Sequence, residues 1–100
     1  MKFNMDDLRV LSQRVYDELD KFRVRCDVEP ELRDDFPAVR LIIQWGDWKH
    51  EHARAKWICR EMGGIVVSSE VTEEDGSDTY SADHVVVFPL GWRGLKPVEV

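Results

Sequence analysis

Apolar residues recur at three- and four-residue intervals through Leu8, Leu11, Val15, Leu19 and Phe22, which places them in one stripe along a helix. Asn4 stands where an N-cap is needed, and Asp6 and Asp7 suit the positive end of the helix dipole. The spacing predicts a first helix that ends near residue 20. From Phe22 the period drops to two, with Phe22, Val24, Cys26 and Val28 alternating with Lys21, Arg23, Arg25 and Asp27. That is the pattern of an edge strand over residues 22–28. An acidic loop from Glu29 to Asp35, containing Pro30, then leads past Pro37 into Ala38-Val39-Arg40-Leu41-Ile42-Ile43-Gln44-Trp45, which Gly46 ends. This richer run predicts a more buried strand, with Val39, Leu41, Ile43 and Trp45 facing the helices and Arg40 and Gln44 facing away.

Asp47 is a cap for a second helix from Trp48 to Met62, stopped by Gly63-Gly64, residues that tolerate the left-handed conformation at a helix end. Its inward stripe is Trp48, Ala55, Ile58, Cys59 and Met62. Ile65 to Val71 reads as a third strand and Tyr80 to Phe88 as a fourth, with the Asp75-Gly76 turn signal between them. The tail, residues 89–100, has further Gly and Pro at Gly91, Gly94 and Pro97 and is expected to be irregular.

Shifted by 43 positions, the chain matches itself in pattern: Phe22 falls on Ile65, Val24 on Val67, Ile42 on Val85 and Ile43 on Val86. Residues 5–45 and 48–88 each read as helix, strand, strand. Neither unit can bury a helix face alone, so residues 1–88 are expected to form a single α+β domain, a two-layer αββαββ sandwich. Its four-stranded antiparallel sheet carries both helices on one face. Placing the two most apolar strands at the centre gives the order 1-2-4-3, a permuted ferredoxin-like arrangement.

A chain of 100 residues with 43% hydrophobic and 34% charged residues has a globular balance and lacks an apolar run of membrane-spanning length. No secretory signal pattern opens it, which points to a cytoplasmic location without membrane attachment. The net charge of −6 is unevenly spread. From Glu61 to Trp92 there are seven acids and no Lys or Arg, whereas the remaining 13 acids face 14 bases. Such a field repels phosphate backbones and speeds encounter with basic surfaces.

Few constellations suggest chemistry. His50-Glu51-His52 lacks metal-binding geometry, because residues two apart on a helix point about 200° apart. Cys26 and Cys59 have no CxxC spacing and read as reduced, buried thiols. Cys59 and His84 could both point inward, but a reactive thiol needs an accessible electropositive setting, and this one is acidic and apolar. No cofactor or metal is expected. The outer sheet face is predicted to carry Arg23 and Arg25 of the first strand, Arg40, Ile42 and Gln44, and Asp83, Val85 and Val87. With no aromatic among them, base stacking and hence direct nucleic-acid binding are disfavoured. Arg40 and Asp83 are expected to pair, and Trp92 and Leu95 of the tail to fold over Ile42, Val85 and Val87. Trp57 lies opposite the core stripe of helix two and is expected to be exposed, a position that suits a binding hot spot.

These readings favour a non-enzymatic, acidic protein-binding module, an inhibitor or regulator of the phage or mobile-element type that docks on a basic, nucleic-acid-binding partner protein as a nucleic-acid mimic. The residues expected at the contact are Glu70, Glu73, Glu74, Asp75, Asp78 and Trp57. The alternative is a homo-oligomeric regulatory or small-ligand-binding ferredoxin-like module, a homodimer through its open sheet face or an edge strand.

Overall fold

The computed structural model describes residues 3–46, 51–73 and 79–99. Its elements are α1 (Met5–Lys21), β1 (Asp27–Arg33), β2 (Phe36–Gly46), α2 (Glu51–Glu61), β3 (Ile65–Glu73) and β4 (Tyr80–Val87), followed by a 3-10 turn at Gly91–Gly94. The four strands form one antiparallel sheet in the order β1-β2-β4-β3, and the helices pack against it. The αββαββ sandwich and the strand order are those the pattern predicts.

Both helices close by the same device. Asn4 accepts a hydrogen bond from the Asp7 N–H at 2.9 Å, and the Asp7 carboxylate accepts from the Asn4 N–H, a capping box that satisfies two orphan donors of α1. At the other end Arg23 donates to the Asp20 carbonyl and Val24 to the Leu19 carbonyl. Arg23 sits in the left-handed region at φ 60°. This is a Schellman closure, and Val24 seals it by joining Leu19 in the core. In α2 the equivalent bonds run from Gly63 to Arg60 and from Gly64 to Cys59, with Gly63 at φ 101°. Gly64 is needed for a second reason: a Cβ there would lie 2.5 Å from Val86 Cγ1.

The first strand is therefore not at residues 22–28. The alternation of Phe22, Val24 and Cys26 belongs to the helix exit, and β1 begins at Asp27. The segment expected to be an acidic loop, Glu29 to Asp35, is instead most of β1 plus a tight turn. Asp34 and Asp35 have φ of 50° and 67°, the paired left-handed residues of a type I′ hairpin, closed by Arg33 opposite Phe36. Asp tolerates this conformation better than most residues. Arg23 and Arg25 consequently do not lie on the sheet. The 43-residue offset holds for the central strands, where Leu41 and His84 both face the helices, but not for residues 22–26, which lie outside any strand although their counterparts 65–69 are in β3.

The core lies between sheet and helices. Leu11, Val15 and Leu19 from α1, and Ala55, Ile58 and Cys59 from α2, meet Val39, Leu41, Ile43, Ala82, Val86 and Phe88. Gln44 is exposed and Arg40 is half-buried on the opposite face, as the register predicts. The side chain of Trp45, the expected cap Asp47 and the expected stripe residue Trp48 lie outside the described residues. The tail departs from expectation. Trp92 and Leu95 pack with the helix-side core, not over Ile42, Val85 and Val87, and Val98 is buried there. Trp92 donates to Asp7 at 3.4 Å under the Arg14 guanidinium, the Val98 N–H donates to Glu18 at 3.1 Å, and the Lys96 N–H donates to the Met62 carbonyl at 3.0 Å. The tail thus staples α1 to the end of α2.

Truncation of Leu41 or Ile43 to Ala, at sites buried in this core, is expected to cost about 2–5 kcal/mol, whereas Gln44→Ala should stay within about 0.5 kcal/mol. Denaturant melts of the three variants check the register of β2; the reverse ranking would place Gln44 inside.

Candidate binding surface

Cross-strand partners share a face, so the register fixes what the open side of the sheet displays. Asp27 is opposite Ile42, Glu29 opposite Arg40 and Glu31 opposite Ala38; on the other flank Glu70 is opposite Asp83 and Thr72 opposite Ser81. The face thus carries Asp27, Glu29, Glu31, Glu70 and Asp83 against two bases, Arg33 and Arg40. Both bases are engaged. Arg40 grips Asp83 through two bonds of 3.0 and 2.8 Å and Glu31 through bonds of 3.1 and 2.7 Å, and Arg33 reaches Glu31 at 3.3 Å. The expected Arg40–Asp83 pair is present, with Glu31 as a third member. Hydrogen bonding to Glu31 and then to Asp83 holds the Arg40 guanidinium still more firmly in its charged form. Among the described residues Asp27, Glu29 and Glu70 make no ion pair.

The centre of this face is not an apolar surface open to water. Val85 and Val87, with Ala38 opposite Val87 on β2, are buried. Val85 lies directly opposite Arg40, whose side chain extends towards carboxylates on both flanking strands. Toward the Gln44 end a shallow groove of about 330 Å³ is lined by Ile42, Gln44, Glu70, Thr72, Ser81 and Asp83. It combines an apolar floor with two carboxylates.

Of the residues picked out from sequence, Glu70 stands on this open face. Glu73, opposite Tyr80, is on the helix side at the end of β3 and is exposed. Glu74, Asp75 and Asp78 lie outside the described residues. Trp57 is 47% exposed on the outer side of α2, as its helical position predicts, and so belongs to the layer opposite Glu70. The structure does not bring Trp57 and Glu70 onto one surface. Sequence reasoning missed Asp27, Glu29 and Glu31 as a row. Their alternation with Val28, Pro30 and Leu32, ahead of the Asp34-Asp35 turn, was the available signal.

A second group lies beneath α2. His84 is fully buried, and its Nδ1 is 2.8 Å from the Ser69 hydroxyl, which also accepts from Lys56 Nζ at 3.2 Å. The His52 ring packs 5.4 Å from that of His84 and 5.2 Å from that of Tyr80, while the Tyr80 hydroxyl accepts the His52 N–H at 3.3 Å. His84 Nε2 has no hydrogen-bond partner among the described residues. Burial, followed by Lys56 and His52, pushes His84 down to about 4, against a smaller upward pull from Asp83. It is neutral at physiological pH. Cross-strand register sets Ser69 against His84 and the packing of α2 on the sheet brings Lys56 to them, so no sequence spacing could have shown the cluster.

Cys26 and Cys59 are free and buried, and burial pushes both thiols up to about 12. Neither supplies a thiolate at neutral pH. Among the described residues, no group of three His, Cys, Asp or Glu is arranged to hold a metal ion. Among the described residues, no helix is long and apolar enough to cross a membrane. His50 of the His50-Glu51-His52 run lies outside the described residues.

The sign of the His84 shift sets a pH dependence. Its folded pKa lies below the ordinary 6.5, so the unfolded chain takes up the proton first, and stability falls as the pH drops from 6.5 towards 4. The loss attached to this one group is about 3 kcal/mol. In His84→Gln, urea melts at a series of pH values should show that much less acid sensitivity than the parent; parallel profiles would mean that His84 takes up its proton as readily in the fold as in the unfolded chain. Compared with known proteins, the chain matches no family model, no curated protein and no solved structure.

Proposed function

We propose that this protein is a non-enzymatic binding module that docks on a basic surface of a partner protein through the open face of its sheet. The observation that carries this reading is the row of carboxylates, Asp27, Glu29 and Glu31 on β1 with Asp83 and Glu70 across the sheet, in which the two arginines are already bound. Alternate residues along a strand recur about every 6.8 Å, a spacing on the scale of successive phosphates in a nucleic-acid backbone. A rigid sheet therefore presents anions in a line, at no ordering cost at the moment of binding. The groove beside Glu70 and Asp83, floored by Ile42, fits a lysine or arginine whose stem packs on the floor while its head meets carboxylate.

This chemistry suits a partner that otherwise binds nucleic acid, and an inhibitor or regulator of that partner is the role it supports. Glu74, Asp75 and Asp78 follow in the sequence and add to the chain's negative charge. Trp57, on the other layer, is then available for a separate contact.

Asp27→Asn, Glu29→Gln and Glu70→Gln combined should leave the melting temperature unchanged or slightly raised, because like charges are removed from one face. Capture from the source cell at low and moderate salt, compared between parent and triple variant, should yield a basic protein that the variant loses. Its association with the parent should slow as salt rises. A captured partner with equal affinity and salt slope for both proteins would rule out this face.

A further inference from the structure

The two edges of the sheet are built differently. β1 ends it on one side with Pro30, which removes a main-chain donor, and with Asp27 and Glu29 exposed beside it. Such features discourage pairing with another strand. β3 ends it on the other side with nine residues, no proline, and Ile65, Val67 and Val71 exposed at 56, 49 and 41%. Its outward main-chain groups have no strand neighbour among the described residues. A bulge between Val66 and Ser68 lies toward one end.

We propose that two copies of this chain pair through β3, antiparallel about a two-fold axis at Ser69, to form one eight-stranded sheet. The side chains of the strand select this register. Ser69 is the midpoint of Ile65–Glu73 and also the midpoint between Val67, the extra residue of the bulge, and Val71. Val67 of one copy then meets Val71 of the other, twice over, and two exposed β-branched pairs leave water. The charges are staggered: Glu70 falls opposite Ser68 and Glu73 opposite Ile65, so neither glutamate faces its own copy. A two-fold at Glu70 would set the two Glu70 carboxylates against each other. The open sheet face gives no comparable self-fit, because Val85 and Val87 are covered and the surrounding acids repel. An antiparallel continuation keeps both pairs of helices on one side and both acidic faces on the other. The dimer thereby doubles the length of the negative surface, but the pairing rests on the β3 edge alone and stands apart from any reading of that surface.

Sedimentation equilibrium of the full chain should give the mass of two chains, against 11.7 kDa for one. Val67→Lys with Val71→Lys, at two exposed positions, should return it to a single chain without changing the circular dichroism. Cysteines test the register without relying on that variant. Cys26 and Cys59 are buried, so only an introduced thiol meets a short thiol-specific cross-linker. Ser69→Cys should couple to itself, and a mixture of Val67→Cys and Val71→Cys should couple far more than either alone. A parent protein that stays at the mass of one chain at every concentration overturns the proposal. So does a dimer that survives the double lysine variant, or one whose cross-links ignore this register.

Discussion

The antiparallel pairing of β2 with β4 is the contact on which the rest of the molecule depends. It joins the two αββ units through residues 39 to 49 positions apart, from Ala38 opposite Val87 to Ile43 opposite Ala82. One face of this ribbon presents Val39, Leu41 and Ile43 with Ala82, His84 and Val86 to the helices, and a slip of one residue would send every one of them to the other side. The same register sets Arg40 beside Asp83 on the far face. Core and ion network are consequences of one alignment.

The price of that alignment is a buried histidine. His84 occupies a helix-facing position of β4 between two apolar ones, where a neutral imidazole can satisfy Nδ1 on Ser69 but leaves Nε2 without a partner among the described residues. Two groups of α2, Lys56 and His52, and burial itself all oppose a charge there. The contact between α2 and the sheet is therefore sensitive to protons, whereas that of α1 rests on the aliphatic residues Leu11, Val15 and Leu19. The C-terminal segment adds a second hold on α1 through Trp92 and Val98, and binds the first element of the chain to the last.

Electrostatics and edges divide the surface. Arg40 draws in Glu31 and Asp83 and so stiffens the open face, while Asp27, Glu29 and Glu70 make no ion pair among the described residues. An array of fixed, unpaired carboxylates on a sheet is poor for self-association and well suited to a basic surface. The β3 edge has the opposite character, with branched apolar side chains and an unpaired main chain. The two regions favour different classes of contact and meet at Glu70, which belongs both to the open face and to the β3 edge strand.

Local chemistry made α1, the stop at Gly63-Gly64, the faces of β2 and the exposure of Trp57 legible from the chain, because each depends on a periodicity or a cap within a few residues. The strand order was also within reach, since burial demanded the two most apolar strands at the centre. The first strand was not. Alternation at Phe22, Val24 and Cys26 is equally produced by a Schellman exit, and only the hairpin register, with two left-handed aspartates, shows that the strand begins at Asp27. That difference turned Asp27, Glu29 and Glu31 from loop or strand-end residues into a row. Tertiary packing decided the destination of the tail as well, because Trp92 and Leu95 suit either layer by composition, and α1 offers Asp7, Arg14 and Glu18 as partners. The sequence by itself determined which elements form and which of their faces are apolar, which are properties of neighbouring residues. Only the fold decided that Ser69, His84 and Lys56 meet and that the acids align, because those contacts depend on strand register and on the packing of α2 against the sheet, between segments distant in the chain.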